Sequence, residues 1–151
     1  MKEYTQEDYP YLVDMYDMFV PKGKFQGMPP CDNLMRATWL RHVTVSGQNF
    51  VAHMKDEDKI IAHVALLPDF DKLDAEYLIF VVQPYRGKGV GSELTQQAIK
   101  WCRCNGIRII WLTVDAYNVR AIRLYKKYGF CFLQPFDSRS ERLMVLRLMS
   151  L

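Results

Sequence analysis

Apolar positions along this chain follow two rhythms. Tyr9, Leu12, Val13, Tyr16 and Phe19 recur at helical spacing behind Thr5-Gln6-Glu7-Asp8, a capping box with Asp8 where glutamate is usual, so a first helix is predicted to end near Pro21. Residues 21–30 carry too many prolines and glycines for regular structure and are predicted as a loop. Asp32 or Asn33 then caps a second helix running toward His42, with Gly47 as its stop. The rhythm changes at residues 50–55 and 59–67, apolar or β-branched runs on either side of Asp56-Glu57-Asp58, which predict a hairpin closed by Pro68. Glu76-Tyr77-Leu78-Ile79-Phe80-Val81-Val82 is nearly all apolar, as a strand covered on both faces must be, and belongs at the sheet centre.

Helical spacing returns with Leu94, Ala98, Ile99, Trp101 and Cys102 in residues 90–105, the longest predicted helix, which Asn105-Gly106 stops. Residues 108–114 read as another apolar strand and residues 118–128 as a helix that ends at Gly129. Residues 130–133 and 142–148 are two final strands around a turn-rich segment. Strand, helix, strand predicts a right-handed crossover. The expected fold class is α/β in the α+β mixed-sheet sense: a mostly antiparallel central sheet with one parallel βαβ crossover, flanked by helices. With no internal repeat and no linker, residues 1–151 are read as a single domain.

Composition narrows the class. At 50% apolar and 25% charged residues the chain can bury a sizeable core, which excludes a disordered or low-complexity polymer. Twenty basic against 17 acidic side chains leave a net charge of only +3, interleaved along the chain, so nucleic acid is not implied. No apolar run approaches the roughly 18 residues that cross a bilayer, and the first eight residues lack the apolar core of a signal peptide. The expected location is cytoplasmic, away from membranes. Cys31, Cys102, Cys104 and Cys131 match no zinc spacing, no metal site is predicted, and a free cysteine is ordinarily a small buried hydrophobe rather than a nucleophile.

The most informative stretch is Gln83-Pro84-Tyr85-Arg86-Gly87-Lys88-Gly89-Val90-Gly91-Ser92, between the buried strand and the long helix. Alternating glycines bring backbone close to a ligand, unsatisfied N–H groups and the positive end of the helix dipole face the turn, and Arg86 and Lys88 add charge. An anionic, phosphate-bearing ligand is expected. The P-loop pattern is absent, and Ser92 stands where a dinucleotide fingerprint needs its third glycine. Asp115 sits about where a ribose-binding acid would, but about 60 residues after the fingerprint are too few for a doubly wound sheet.

From Glu76 to Phe132 the chain resembles the GNAT superfamily of N-acetyltransferases. The apolar strand ending Val82-Gln83-Pro84 leads into Arg86-Gly87-Lys88-Gly89-Val90-Gly91, similar to the family's Arg/Gln-x-x-Gly-x-Gly/Ala. Asn118, Ala121, Leu124-Tyr125 and Tyr128-Gly129-Phe130 match its Asn-x-x-Ala-x-x-Leu-Tyr-x-x-x-Gly-Phe pattern. The resemblance implies acetyl-CoA in a cleft between splayed strands, with pyrophosphate on the amides of Arg86, Gly87, Lys88, Gly89, Val90, Gly91 and Ser92. It also implies the backbone of Phe80, Val81 and Val82 paired with the pantetheine arm, and Asn118 holding that arm.

Amine acetylation needs a base for the ammonium and an acid for the leaving thiolate. The resemblance implies Tyr125 as acid, also a cofactor contact, and Glu76 as base, acting directly or through water. His42, His53 and His63 are rival bases that lie in no motif. A backbone N–H near Val82 is the candidate for stabilising charge on the acyl oxygen. The acceptor remains a small amine, amino acid, aminoglycoside, protein lysine or N-terminus, shaped by residues 21–33 and 137–141. The acids Asp69, Asp71, Asp74 and Glu76 could attract a cationic amine, but charged loops are usually solvated, and that is the favoured reading. A homodimer is left open. The expected activity is transfer of acetyl from acetyl-CoA to a primary amine in a ternary complex. The alternative is a non-catalytic acyl-CoA-binding or sensing module of the same fold.

Overall fold

The chain opens as its first polar residues require. Thr5 donates its amide to Asp8 Oδ2 at 2.8 Å, closing the capping box around a 3-10 turn at Gln6–Asp8 that feeds helix α1 (Tyr9–Asp17). Ahead of it runs an unforeseen strand β1 (Lys2–Glu3), too short for alternation to reveal. The computed structural model describes residues 1–18, 29–30, 32–54, 57–134 and 140–148. The predicted loop at residues 21–30 and the acceptor segments therefore lie largely outside the described residues, as does Cys31.

Helix α2 (Asn33–Ser46) is capped by Asp32, whose Oδ1 accepts from the Met35 amide at 2.9 Å, and it runs past His42 to reach its stop at Gly47. Strands β2 (Gln48–His53) and β3 (Ile60–Asp69) form the antiparallel hairpin. Pro68 does not close β3: it pairs with Ala75 of β4 (Asp74–Val81), beyond the last β2 partner Leu66, so its missing N–H leaves no ladder bond unmade on that side. The turn falls instead at residues 70–73, where Leu73 has a φ of 56° and its carbonyl accepts from Arg108 N at 2.8 Å.

Helix α3 (Val90–Cys104) crosses over to β5 (Ile109–Asp115), parallel to β4. Helix α4 (Val119–Lys127), β6 (Cys131–Phe132) and β7 (Glu141–Arg147) follow. Among the described residues seven strands make one sheet in the order β1-β2-β3-β4-β5-β7-β6, with β4 and β5 paired in parallel. This is the mixed sheet with a single βαβ crossover that the pattern predicts.

Two apolar cores lie on the sheet's two faces. One packs α3 and α4 through Leu94, Ala98, Ile110, Leu112, Tyr125 and Met144. The other packs α1 and α2 through Leu12, Met15, Tyr16, Leu40 and Val51. Among the described residues no helix is long and apolar enough to cross a membrane.

Candidate active site

The site begins where the sheet comes apart. β4 and β5 pair from Asp74 with Ile109 to Glu76 with Trp111 and no further. Residues 77–81 stay on β3 and residues 112–115 stay on β7, so a gap opens between them. An antiparallel neighbour takes both main-chain groups of every second residue, and Val82 gives its N–H to Ile61 O at 2.9 Å. The alternate residues, Ile79 and Val81, therefore turn their main-chain groups toward the gap. A cavity of about 560 Å³ fills it, lined on one side by Leu78, Ile79, Phe80 and Val81 and on the other by Thr113, Val114 and Asp115.

At the open end of β4 the glycine loop turns into α3. Gly87 and Gly89 take φ of +77° and +89°, the left-handed region that L side chains avoid, and a Cβ at either would meet nothing within 4 Å. The loop thus leaves its backbone bare. The first turn of α3 has no side-chain cap, and its first intrahelical bond is Glu93 N to Gly89 O, so the amides of Val90, Gly91 and Ser92 are free of helix partners. This is an anion cradle at a helix N-terminus. Arg86, Gly87, Gly89, Gly91 and Ser92 line the cavity; Val82, Lys88 and Val90 do not.

Helix α4 forms the roof. Asn118 is its N-cap, Oδ1 accepting from Ala121 N at 3.3 Å, which leaves the side-chain amide as the part able to donate into the cleft. Tyr128 donates its hydroxyl to Ser92 O at 3.2 Å, tying α4 to the start of α3. Tyr125 lines the cavity and packs edge-on against Tyr77, with ring centroids 5.8 Å apart. Its hydroxyl has no hydrogen-bond partner among the described residues, and burial raises its pKa, keeping it protonated. Tyr77 is spoken for: the Thr95 hydroxyl donates to Gly91 O at 2.7 Å, so Tyr77 must be the donor in its 2.6 Å bond to Thr95.

Glu76 stands on the last common rung of β4 and β5, at the closed end of the gap, and is not part of the cavity lining. Strand parity puts it with Leu78 and Phe80 on the face of α1 and α2, opposite Tyr77 and Tyr125. It is half-buried, and desolvation raises its pKa. On the same face Tyr16, Trp39 and Phe80 form a trio of edge-on rings, centroids 5.4 to 5.6 Å apart.

None of the three histidines lines the cleft. His63 is buried in a chain whose protons can be assigned. Asn49 Nδ2 donates to Val43 O at 3.1 Å, so Asn49 Oδ1 faces His63 Nε2 at 2.6 Å and that nitrogen must carry the proton. His63 Nδ1 then accepts from the Tyr16 hydroxyl at 2.7 Å. Burial lowers the His63 pKa to about 3, so the imidazole is neutral and structural. Cys102 is equally inert, its pKa pushed up to about 12 by burial, and Cys131 lies exposed on β6.

Sequence reasoning passed over Arg120, which lines the cleft from the first turn of α4. The signal for it was there: a cation at the start of a helix opposes the dipole.

A family model described as the acetyltransferase (GNAT) family matches residues 11–130, and the chain belongs to that family, whose acetyl donor is acetyl-CoA. The spermine/spermidine N(1)-acetyltransferase of Bacillus subtilis is 30% identical over 96 residues, covering 58% of this chain and 61% of that protein. The mycothiol acetyltransferase of Corynebacterium efficiens is 30% identical over 94 residues, 62% of this chain and 30% of its own length. The chain thus matches only part of each of these relatives. Among solved structures, a GNAT-family acetyltransferase from Streptococcus pneumoniae superimposes with a TM-score of 0.78 at 22% identity, covering 98% of both chains. A phosphinothricin acetyltransferase from Sinorhizobium meliloti, solved in complex with acetyl-CoA, gives 0.76 at 18% identity, covering 97% of this chain and 86% of that one.

Proposed function

We propose that this chain transfers the acetyl group of acetyl-CoA to a primary amine by direct attack in a ternary complex. The observation that carries the reading is the gap between β4 and β5, where unpaired strand backbone, the bare glycine loop and the open Tyr125 hydroxyl meet in one cavity. The residues fit the donor: the main-chain groups of Ile79 and the N–H of Val81 suit an extended chain bearing amides, the cradle at Gly87, Gly89 and Gly91 suits a pyrophosphate, and the Asn118 amide suits a carbonyl between them. When bound, acetyl-CoA supplies a thioester carbon that accepts the amine nitrogen as the carbon–sulfur bond breaks.

Each proton then has a place to go. Tyr125, held protonated by burial, gives its hydroxyl proton to the departing sulfur. Glu76, on the opposite face, has its proton affinity raised by desolvation and takes the proton lost by the amine, directly or through water. The acceptor is placed over Phe80, on the face of α1 and α2 that also carries Glu76. The polyamine substrate named for one relative is the first to try.

The test is thiol release from acetyl-CoA with spermidine, free amino acids and peptide amines as acceptors. Turnover with any of them, reduced roughly 100-fold in kcat by Tyr125→Phe with donor affinity within about twofold, is the expected result. An undiminished rate would remove Tyr125 from the mechanism, and tight donor binding with no turnover on any amine would make the chain a sensing module.

A further inference from the structure

Four basic side chains stand in or beside the cleft, and they are not equivalent. Arg86, the basic residue of the loop motif, is committed to the protein itself, its Nε donating to Val81 O at 2.9 Å. The Lys88 ammonium lies 5.7 Å from the centre of the Tyr85 ring, and Lys127 donates to Ser92 Oγ at 3.3 Å. Arg120 differs from all three. It is exposed, it lines the cavity, and it makes no hydrogen bond or ion pair to a described residue, although the carboxylates of Asp115 and Glu141 line the same cavity. It stands second in α4, against the positive end of that helix, and its charge acts on the Arg86 guanidinium, helping desolvation to lower the Arg86 pKa. Two like charges share one cavity, and one of them also opposes a helix dipole. An anion beside them relieves both conflicts at once.

Resting on the donor reading above, we infer that Arg120 is a phosphate-binding residue, taking an oxygen of the nucleotide end of CoA from the α4 side while the glycine loop binds from the α3 side. Both the pyrophosphate and the ribose 3′-phosphate offer that chemistry. Arg86 serves as the strap that holds the loop to the end of β4, so the charge-assisted contact passes to a residue outside the glycine motif.

Calorimetric titration of CoA and 3′-dephospho-CoA into the wild type, Arg120→Ala, Arg120→Lys and Arg123→Ala tests this. Arg120→Ala is expected to bind CoA about tenfold more weakly, with a shallower salt dependence. Arg120→Lys keeps part of the affinity, and Arg123→Ala, which removes the same charge from the same helix outside the cavity, matches the wild type. The ligand-free Tm of Arg120→Ala stays equal or rises, because a repulsion is gone. A penalty that persists with 3′-dephospho-CoA assigns the pyrophosphate, and one that vanishes assigns the 3′-phosphate. Unchanged CoA affinity overturns the inference, as does a loss accompanied by a lower ligand-free Tm, which marks a structural role. If the wild type itself fails to bind CoA, it is the donor reading that falls.

Discussion

His63 shows how one residue ties the face of α1 and α2 together. Its two ring nitrogens join α1 through Tyr16 to β2 through Asn49, and Asn49 passes the chain on to α2 at Val43. The neutral form is required, because a protonated ring has no acceptor for the Tyr16 hydroxyl. The unfolded chain takes up this proton near pH 6.5, while the folded protein resists it down to about 3. A depressed histidine pKa means the unfolded state binds more protons between those limits, so the contribution of His63 to stability is full above pH 7 and slopes away as the pH falls through that window. Urea unfolding at pH 7, 6, 5 and 4 should show this slope in the wild type and lose that component in His63→Gln. The sequence marked His63 only as a histidine in a strand. Its partners lie 47 and 14 residues away, and no local pattern announces them. Arg120 was legible in principle as a charge in the wrong place on a helix, whereas the commitment of Arg86 to Val81 O needed coordinates.

The loop–helix element built on Gly87, Gly89 and Gly91 was the most legible part of the chain, because its glycines answer to different physical demands. Gly89 is the N-cap of α3 in the left-handed region, so Gly89→Ala should destabilise the protein by about 1–2 kcal/mol in chemical denaturation and weaken CoA binding by re-aiming the first-turn amides. Gly91 has no such constraint. A Cβ there would meet Leu124 Cδ2 at 3.4 Å and Ile79 Cδ1 at 3.8 Å, ordinary contact, so Gly91→Ala should fold with less than half that loss. Helix and strand existence was readable from periodicity, and misplacements fall where tertiary context decides. Pro68 sits inside β3 because β2 has already ended, and β1 forms because β2 offers it an edge. Glu76 follows the same logic: the strand was evident, but its position at the closed end of the gap depends on where β4 and β5 stop pairing.

Across the whole molecule, the sheet is two antiparallel blocks, β1 to β4 and β5 to β7, joined along three paired positions of β4 and β5. Ligand in the gap binds only the assembled native state, so acetyl-CoA at 100 times its Kd should raise stability by about 2.7 kcal/mol. NAD and ATP at equal concentration should raise it far less. Hydrogen exchange should locate the effect, slowing at the Ile79 and Val81 amides, which lack strand partners, and leaving Val82, already bonded to Ile61, unchanged. Protection spread evenly over the sheet would place the ligand elsewhere. Seen as mechanics, the Glu76–Trp111 rung is the last of three that join the two blocks, and a ligand spanning the gap adds a second joint between them. If the proposed transfer is right, such a protein is stiffest with donor in place and slackens when product leaves, so the supply of substrate would set its rigidity as well as its rate.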